Sequence, residues 1–284
     1  MSRSFRIEYP GALYHITSRG NEKAAIYRND HDRMLFLSTL AEQIKTHNWI
    51  CHAYCLMSNH YHLLIETVDA NMACGMRDLN GIYSKRFNKV HSRVGHLFQG
   101  RYDARLIERD PYLLEVVRYI VLNPVRAHLT RSPAEWLWSS YRATIGKDEK
   151  PIWLWTDWTL GLFSKDSRRA QASYAKFVLE GIGTQSPYSG VQNEHILGSD
   201  QFIHEIWEKF GTIDDIKEYP REERVIGRLA LEDIFSEDQI KIERDEAICL
   251  ARMRCGYQLS EIARYLKIDP STVGKVIKNL NKSV

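Results

Sequence analysis

Long apolar runs are missing from this 284-residue chain. No segment approaches the roughly 20 apolar residues that span a bilayer, and the basic start Met1-Ser2-Arg3-Ser4-Phe5-Arg6 leads into no apolar stretch of signal-peptide length. Cysteine is scarce as well: Cys51, Cys55, Cys74, Cys249 and Cys255 are odd in number, contain no CxxC pair and show no zinc-finger spacing. That excludes a disulfide framework and reads as reduced thiols in a cytoplasmic protein. Repeats and low-complexity tracts are absent, which excludes solenoids and long disordered tails. Net charge is low, at +3.

The small total hides a pattern. Residues 1–150 carry 21 Lys+Arg against 15 Asp+Glu, residues 151–240 carry 9 against 16, and residues 241–284 carry 9 against 5. Two basic segments thus flank an acidic one, an arrangement that suits a polyanion such as nucleic acid and equally a plain solvated surface. The length suits two domains, each with its own core.

Residues 12–18 are β-rich and end in the turn signal Arg19-Gly20-Asn21. From His31 to His47 the residues Leu35, Leu37, Leu40, Ala41 and Ile44 recur at helical spacing. Residues 50–67 hold two β-type stretches around Met57-Ser58-Asn59, which predicts an antiparallel hairpin. A second helix is expected over 71–90, a further strand over Tyr102 to Ile107, and a third helix from Pro111 to about Leu122. The order β, α, β, β, α, β, α is that of an α+β fold: a ferredoxin-like antiparallel sheet with helices on one face. This domain is expected to span 1–145, with an aromatic-rich connecting segment over 146–190 and an all-α DNA-binding domain over 191–284.

The second hairpin strand opens with His60-Tyr61-His62. Alternate side chains of a strand leave the same face, so His60 and His62 point together and Tyr61 points away. Two neutral imidazoles side by side make a pair of metal ligands in need of oxygen donors. In the third helix Tyr119 and Asn123 stand four apart and share a face. If that face overlies the histidine strand, the set is two imidazoles, an amide carbonyl and a phenol. A divalent ion on His60, His62 and Asn123 would polarise a phosphate oxygen, and Tyr119 would attack phosphorus. A phenol has a reference pKa of about 10, so phenolate leaves more readily than an alkoxide and the ester can be attacked in turn. Tyr83, Tyr102 and Tyr112 compete for the role, but only Tyr119 has an amide one turn away. His15 reads as a packing or hydrogen-bonding residue rather than a ligand.

These residues, with Tyr14-His15-Ile16-Thr17-Ser18-Arg19-Gly20-Asn21, Phe98-Gln99-Gly100-Arg101-Tyr102 and Asn123-Pro124-Val125-Arg126-Ala127, resemble the single-tyrosine HUH transposases. Within these, the residues are most similar to the REP-associated tyrosine transposases, over about residues 5–145. The resemblance implies Mg²⁺ or Mn²⁺, a 5′-phosphotyrosine intermediate, recognition of a single-stranded DNA hairpin, and a monomer or homodimer. Arg19, Lys85, Arg86, Arg101 and Arg126 are candidates for tracking phosphates.

Residues 259–280 have the spacing of a helix-turn-helix. Ile262, Ala263 and Leu266 face a core, Ile268 fills the turn, and Val273, Val276, Ile277 and Leu280 form the second inner stripe. Asp269 suits an N-cap with Pro270 at the first helical position. The outward residues Ser271, Thr272, Lys275 and Lys278 suit phosphates and base edges in a major groove of duplex DNA. Two rival readings stand beside the enzyme: a sequence-specific DNA-binding regulator with a non-catalytic hairpin-recognition domain, and an RNA hairpin binder.

Overall fold

The computed structural model describes residues 7–189, 195–210, 229–235 and 240–280. Its centre is a five-stranded sheet in the order β2-β3-β1-β4-β5. Strand β1 (Ala12–Arg19) lies between β3 (His60–Thr67) and β4 (Asp103–Ile107), antiparallel to both. Strand β2 (Trp49–Leu56) forms the expected hairpin with β3. The four-strand order is that of the ferredoxin-like unit.

A fifth strand was not expected. β5 (Ile196–Leu197) runs parallel to β4 and makes the sheet mixed. The reason is edge satisfaction: Leu106 and Glu108 donate their backbone N–H groups to the carbonyls of His195 and Leu197, at 2.9 and 2.8 Å.

Helices α1 (Asp30–His47) and α2 (Met72–Val90) cover one face, burying Phe36, Leu40, Met76 and Leu79 against Tyr61, Leu63 and Ile65. Asn29 caps α1, its side chain accepting from Asp32 N at 3.0 Å, and Asn48 ends it in the left-handed region at φ 53°. The expectation of helices on one face holds for these two and not for α3 (Arg109–Arg126). α3 lies on the opposite face, packing Leu113, Val116, Val117, Ile120 and Val121 on Leu13, Ala53, Cys55 and Leu64. Alternation explains this. Leu63 and Leu64 are both fully buried, so the sheet is apolar on both sides and each side needs a cover. Helix α4 (Ser167–Glu180) completes that second layer with Tyr174 and Val178.

Helix α3 runs past its expected end near Leu122 and carries Pro124 inside. Proline lacks the N–H that would bond the carbonyl four residues back, which is that of Ile120. The Asn123 side-chain amide donates there instead, at 3.3 Å, and to Tyr119 O at 2.9 Å.

Residues 196–210, expected in the C-terminal helical domain, belong to the sheet and its first core. α5 (Asp200–Phe210) buries Ile206 and Phe210 there, and Phe210 stacks on Tyr9 with ring centroids 5.4 Å apart.

The C-terminal residues build a separate core from α6 (Lys241–Cys249), a π-helical turn (Leu250–Arg254), α7 (Leu259–Leu266) and α8 (Pro270–Leu280). Ile262, Ala263, Val273 and Ile277 are buried in it, with Leu266, Ile268 and Val276 packed against them. The side chain of Leu280 lies outside the described residues. Asp269 accepts from Ser271 N at 2.7 Å at the start of α8, and Lys267 ends α7 in the left-handed region at φ 55°. Among the described residues no helix is long and apolar enough to cross a membrane.

Candidate active site

The hairpin turn fixes where the histidines begin: Met57 N donates to His60 O at 2.9 Å, so His60 is the first residue of β3. Strand parity then sends His60 and His62 toward α3, with ring centroids 5.0 Å apart. Tyr61 points into the other core, where its hydroxyl donates to Asn80 Oδ1 at 2.6 Å. In the antiparallel register Arg19 lies opposite His60 and Thr17 opposite His62.

Each histidine has its Nδ1 engaged. His60 Nδ1 lies 2.7 Å from Asn59 Oδ1, and His62 Nδ1 lies 2.9 Å from His15 Nε2. His15 Nδ1 is in turn 2.6 Å from the Tyr188 hydroxyl. At the far side of the ring, His62 Nε2 is buried with no hydrogen-bond partner. A buried polar atom without a partner costs on the order of 1–3 kcal/mol, which a bound ion or an ordered water offsets. The three imidazoles are held neutral. Burial, then the Arg19 guanidinium, lowers the His60 pKa to about 4, while burial followed by Arg105 lowers His15 to about 3. Burial first, then His15, His60 and Arg19, drives His62 well below the usual histidine range. Neutral imidazole is the metal-binding form.

The donor set therefore fits a metal, with Nε2 of each histidine as the ligand atom. With His62 Nε2 unprotonated, its proton sits on Nδ1 and is donated to His15 Nε2, and His15 donates from Nδ1 to the Tyr188 oxygen. Such outer hydrogen bonds fix ring orientation and tautomer.

Helix α3 brings Tyr119 to this place. Its ring meets those of His15 and His62 edge-on, at centroid distances of 5.8 and 6.0 Å. Arg126 lies one face away, its guanidinium 5.3 Å from the Tyr119 ring centroid. Asn123 sits one turn after Tyr119, but its NH₂ group is tied to the helix's own carbonyls. Its Oδ1 is the atom left to face a ligand.

Tyr188 is a site residue that sequence reasoning missed. Its ring stacks on His15 at 5.4 Å and meets Tyr119 edge-on at 5.3 Å, and the Arg105 guanidinium lies 4.6 Å from its centroid. It comes from the loop after α4, in Ser186-Pro187-Tyr188-Ser189, where no motif marks it.

The basic candidates divide. Arg19 is exposed beside His60, and Arg101 follows the loop that Gln99 ties to Arg19 O at 2.8 Å, at the same end of the sheet. Arg126 also donates to Thr184 O at 3.0 Å. Lys85 and Arg86 do not join the site, because α2 covers the other face of the sheet. Arg86 is held by Glu42 at 2.8 Å and by Thr39 at 2.8 Å. Ser271, Thr272, Lys275 and Lys278 are all exposed on α8.

Residues 9–123, from the approach to β1 through Asn123, match the family model described as IS200-like transposase. The matched residues include the histidine pair, Tyr119 and Asn123. Among solved structures, the chain is similar to a REP-associated tyrosine transposase bound to a REP hairpin: 17% identity, TM-score 0.45, over 55% of this chain and 93% of that one. No curated protein matches the chain.

Proposed function

We propose that the chain is a metal-dependent single-strand DNA endonuclease and strand transferase that acts on hairpin DNA through a 5′-phosphotyrosine on Tyr119. The observation that carries this reading is the unpartnered, buried Nε2 of His62 beside the Tyr119 ring. A structural histidine in a core is expected to have both nitrogens satisfied.

His60, His62 and Asn123 Oδ1 would hold Mg²⁺ or Mn²⁺, which supplies neutralisation of charge on a phosphate oxygen. The chain's own residues do the rest. The Tyr119 oxygen bonds to phosphorus, the P–O3′ bond breaks, and the phenol proton passes to the departing 3′ oxygen. A 3′-hydroxyl of another end reverses the step and restores the phenol, so cleavage and rejoining need no external energy source. Arg126, over the Tyr119 ring, and Arg19, at the histidine end of β1, are placed to pair with phosphates. The contact of Tyr119 with its own chain's His62 supports a site built in cis.

The preference for hairpins rests on the motifs at 14–21, 98–102 and 123–127. The exposed set on α8, behind a capped start and a short turn, supports a helix-turn-helix that adds a duplex contact. Incubation with single-stranded hairpin DNA and Mn²⁺ is expected to give a covalent adduct on a denaturing gel. Adduct persisting in Tyr119→Phe would remove Tyr119 from the role, and no cleavage of any hairpin in a library favours the DNA-binding regulator.

A further inference from the structure

A second group of metal-ligand side chains lies on the far face of the sheet, away from His60 and His62. His47, in the last turn of α1, meets Cys74 and Asp78, which stand four apart on one face of α2. One ligand atom from each lies within 4.8 Å of the others. The set is closed from solvent on two sides, since His47 is 1% exposed and Cys74 3%.

Two observations point to a cation here. The first is His47 itself, a buried ring with neither nitrogen in a hydrogen bond. Its Nε2 is aimed into the cluster, 3.4 Å from Asp78 Oδ2, without the alignment of a hydrogen bond. The second is that the chain brings a cation of its own. Arg252, on the π-helical turn before α7, places one guanidinium nitrogen on Cys74 Sγ and the other on the Asp78 carboxylate, 3.0 Å from Oδ2. Arg252 is 7% exposed, so its charge depends on these partners. The surrounding hydrogen bonds make this a docking point for the C-terminal helices: Asn71 Nδ2 donates to Met253 O at 2.6 Å, and Cys74 Sγ to Arg252 O at 3.6 Å.

We propose that His47, Cys74 and Asp78 form a site for a zinc-class divalent ion, which that ion and Arg252 occupy in turn, so that metal loading releases the C-terminal helices from α2. The donor chemistry selects the ion. One imidazole, one thiolate and one carboxylate suit Zn²⁺ or Co²⁺, because the thiolate is a soft ligand that Mg²⁺ and Mn²⁺ do not favour. A tetrahedral ion at zinc bond lengths sets its ligands roughly 3.3–3.8 Å apart, so side-chain movements of about 1 Å close the site. Binding removes the thiol proton to solvent. A dication and a guanidinium cannot share so small a volume, because their repulsion in a buried setting is large. The proposal is independent of the chemistry at Tyr119.

Full-length protein and its Arg252→Ala variant are titrated with Co²⁺, reading the thiolate-to-cobalt charge-transfer band. The band is expected at about tenfold lower Co²⁺ in Arg252→Ala, lost in Cys74→Ser, and extinguished by added Zn²⁺. In the unmodified chain, saturating Zn²⁺ is expected to speed hydrogen exchange of the amides of residues 250–257. No band in either protein, or a band that survives Cys74→Ser, overturns the site. Unchanged exchange at saturating Zn²⁺ overturns the competition with Arg252. Should Cys74→Ser fail to fold by circular dichroism, Asp78→Asn in the Arg252→Ala background replaces it. There a tenfold weaker Co²⁺ affinity is expected, and an unchanged affinity overturns the site.

Discussion

The two faces of the central sheet each bury a histidine with an unmet nitrogen and differ in what stands beside it. On the α3 face, His62 Nδ1 meets His15 and His15 meets Tyr188, His60 Nδ1 meets Asn59, and the Nε2 of His62 is left without a protein partner. On the α1/α2 face, His47 sits beside a thiol and a carboxylate whose partner the protein supplies itself, from Arg252. What separates the two clusters is whether a cation of the chain already stands beside the ligand atoms. Beside His62 the place of a cation is left to something from outside, whereas beside His47 the Arg252 guanidinium takes it on Cys74 and Asp78.

The largest effect is expected at His62. His62→Ala is expected to lower Mn²⁺-dependent hairpin cleavage on the order of a thousandfold, measured as initial rate; near-normal cleavage would assign the unpartnered Nε2 no function. On the opposite face, Asp78→Asn leaves the Arg252 charge buried beside an amide. The loss is expected to be about 3 kcal/mol in the attachment of the C-terminal helices, seen as early exchange or proteolysis of residues 250–257. Unchanged protection there would make Arg252 incidental to docking. A smaller effect is expected at His15→Phe, which keeps the ring volume and removes the hydrogen bond to His62 Nδ1. Metal affinity should fall about 10- to 100-fold, by calorimetric titration, with the fold intact by circular dichroism. An unchanged affinity would show that the His62 ring is oriented by packing alone. Least affected is Lys267→Gly: relief of the left-handed conformation outweighs glycine's extra chain entropy, for a gain of about 0.5–1 kcal/mol in a thermal melt.

The features legible in the sequence are those set by local periodicity. The two-residue period of a strand sent His60 and His62 to one side and Tyr61 to the other, and the helical period put Tyr119 and Asn123 on one face. The strands and helices of the first 126 residues follow the same rules, within a few residues at each end. What local pattern does not carry is which elements meet. That α3 covers the histidine face follows from the sheet being apolar on both sides, and only the pairing of β1 with β3 brings His15 beside His62. Tyr188 is 69 positions after Tyr119, in a loop with no periodicity. The role of Asn123 in meeting the Ile120 carbonyl depends on Pro124 being taken into the helix rather than ending it, a choice that packing made against local preference. His47, Cys74 and Asp78 come from two helices and Arg252 from a third region, so no spacing in the sequence announces them.

The central claim, that the unmet partner on the α3 face marks a phosphoryl-transfer site, is tested most directly by trapping the intermediate. Full-length protein is incubated with Mn²⁺ and hairpin DNA whose scissile phosphate carries a bridging 3′-sulfur, so that the departing thiol rejoins poorly, then digested, and the DNA-linked peptide is sequenced by mass spectrometry. The account predicts a phosphodiester on Tyr119 in the peptide containing Ile120-Val121-Leu122-Asn123. A linkage on any other residue, Tyr188 included, or hydrolysis with no linked peptide at any time point, contradicts it.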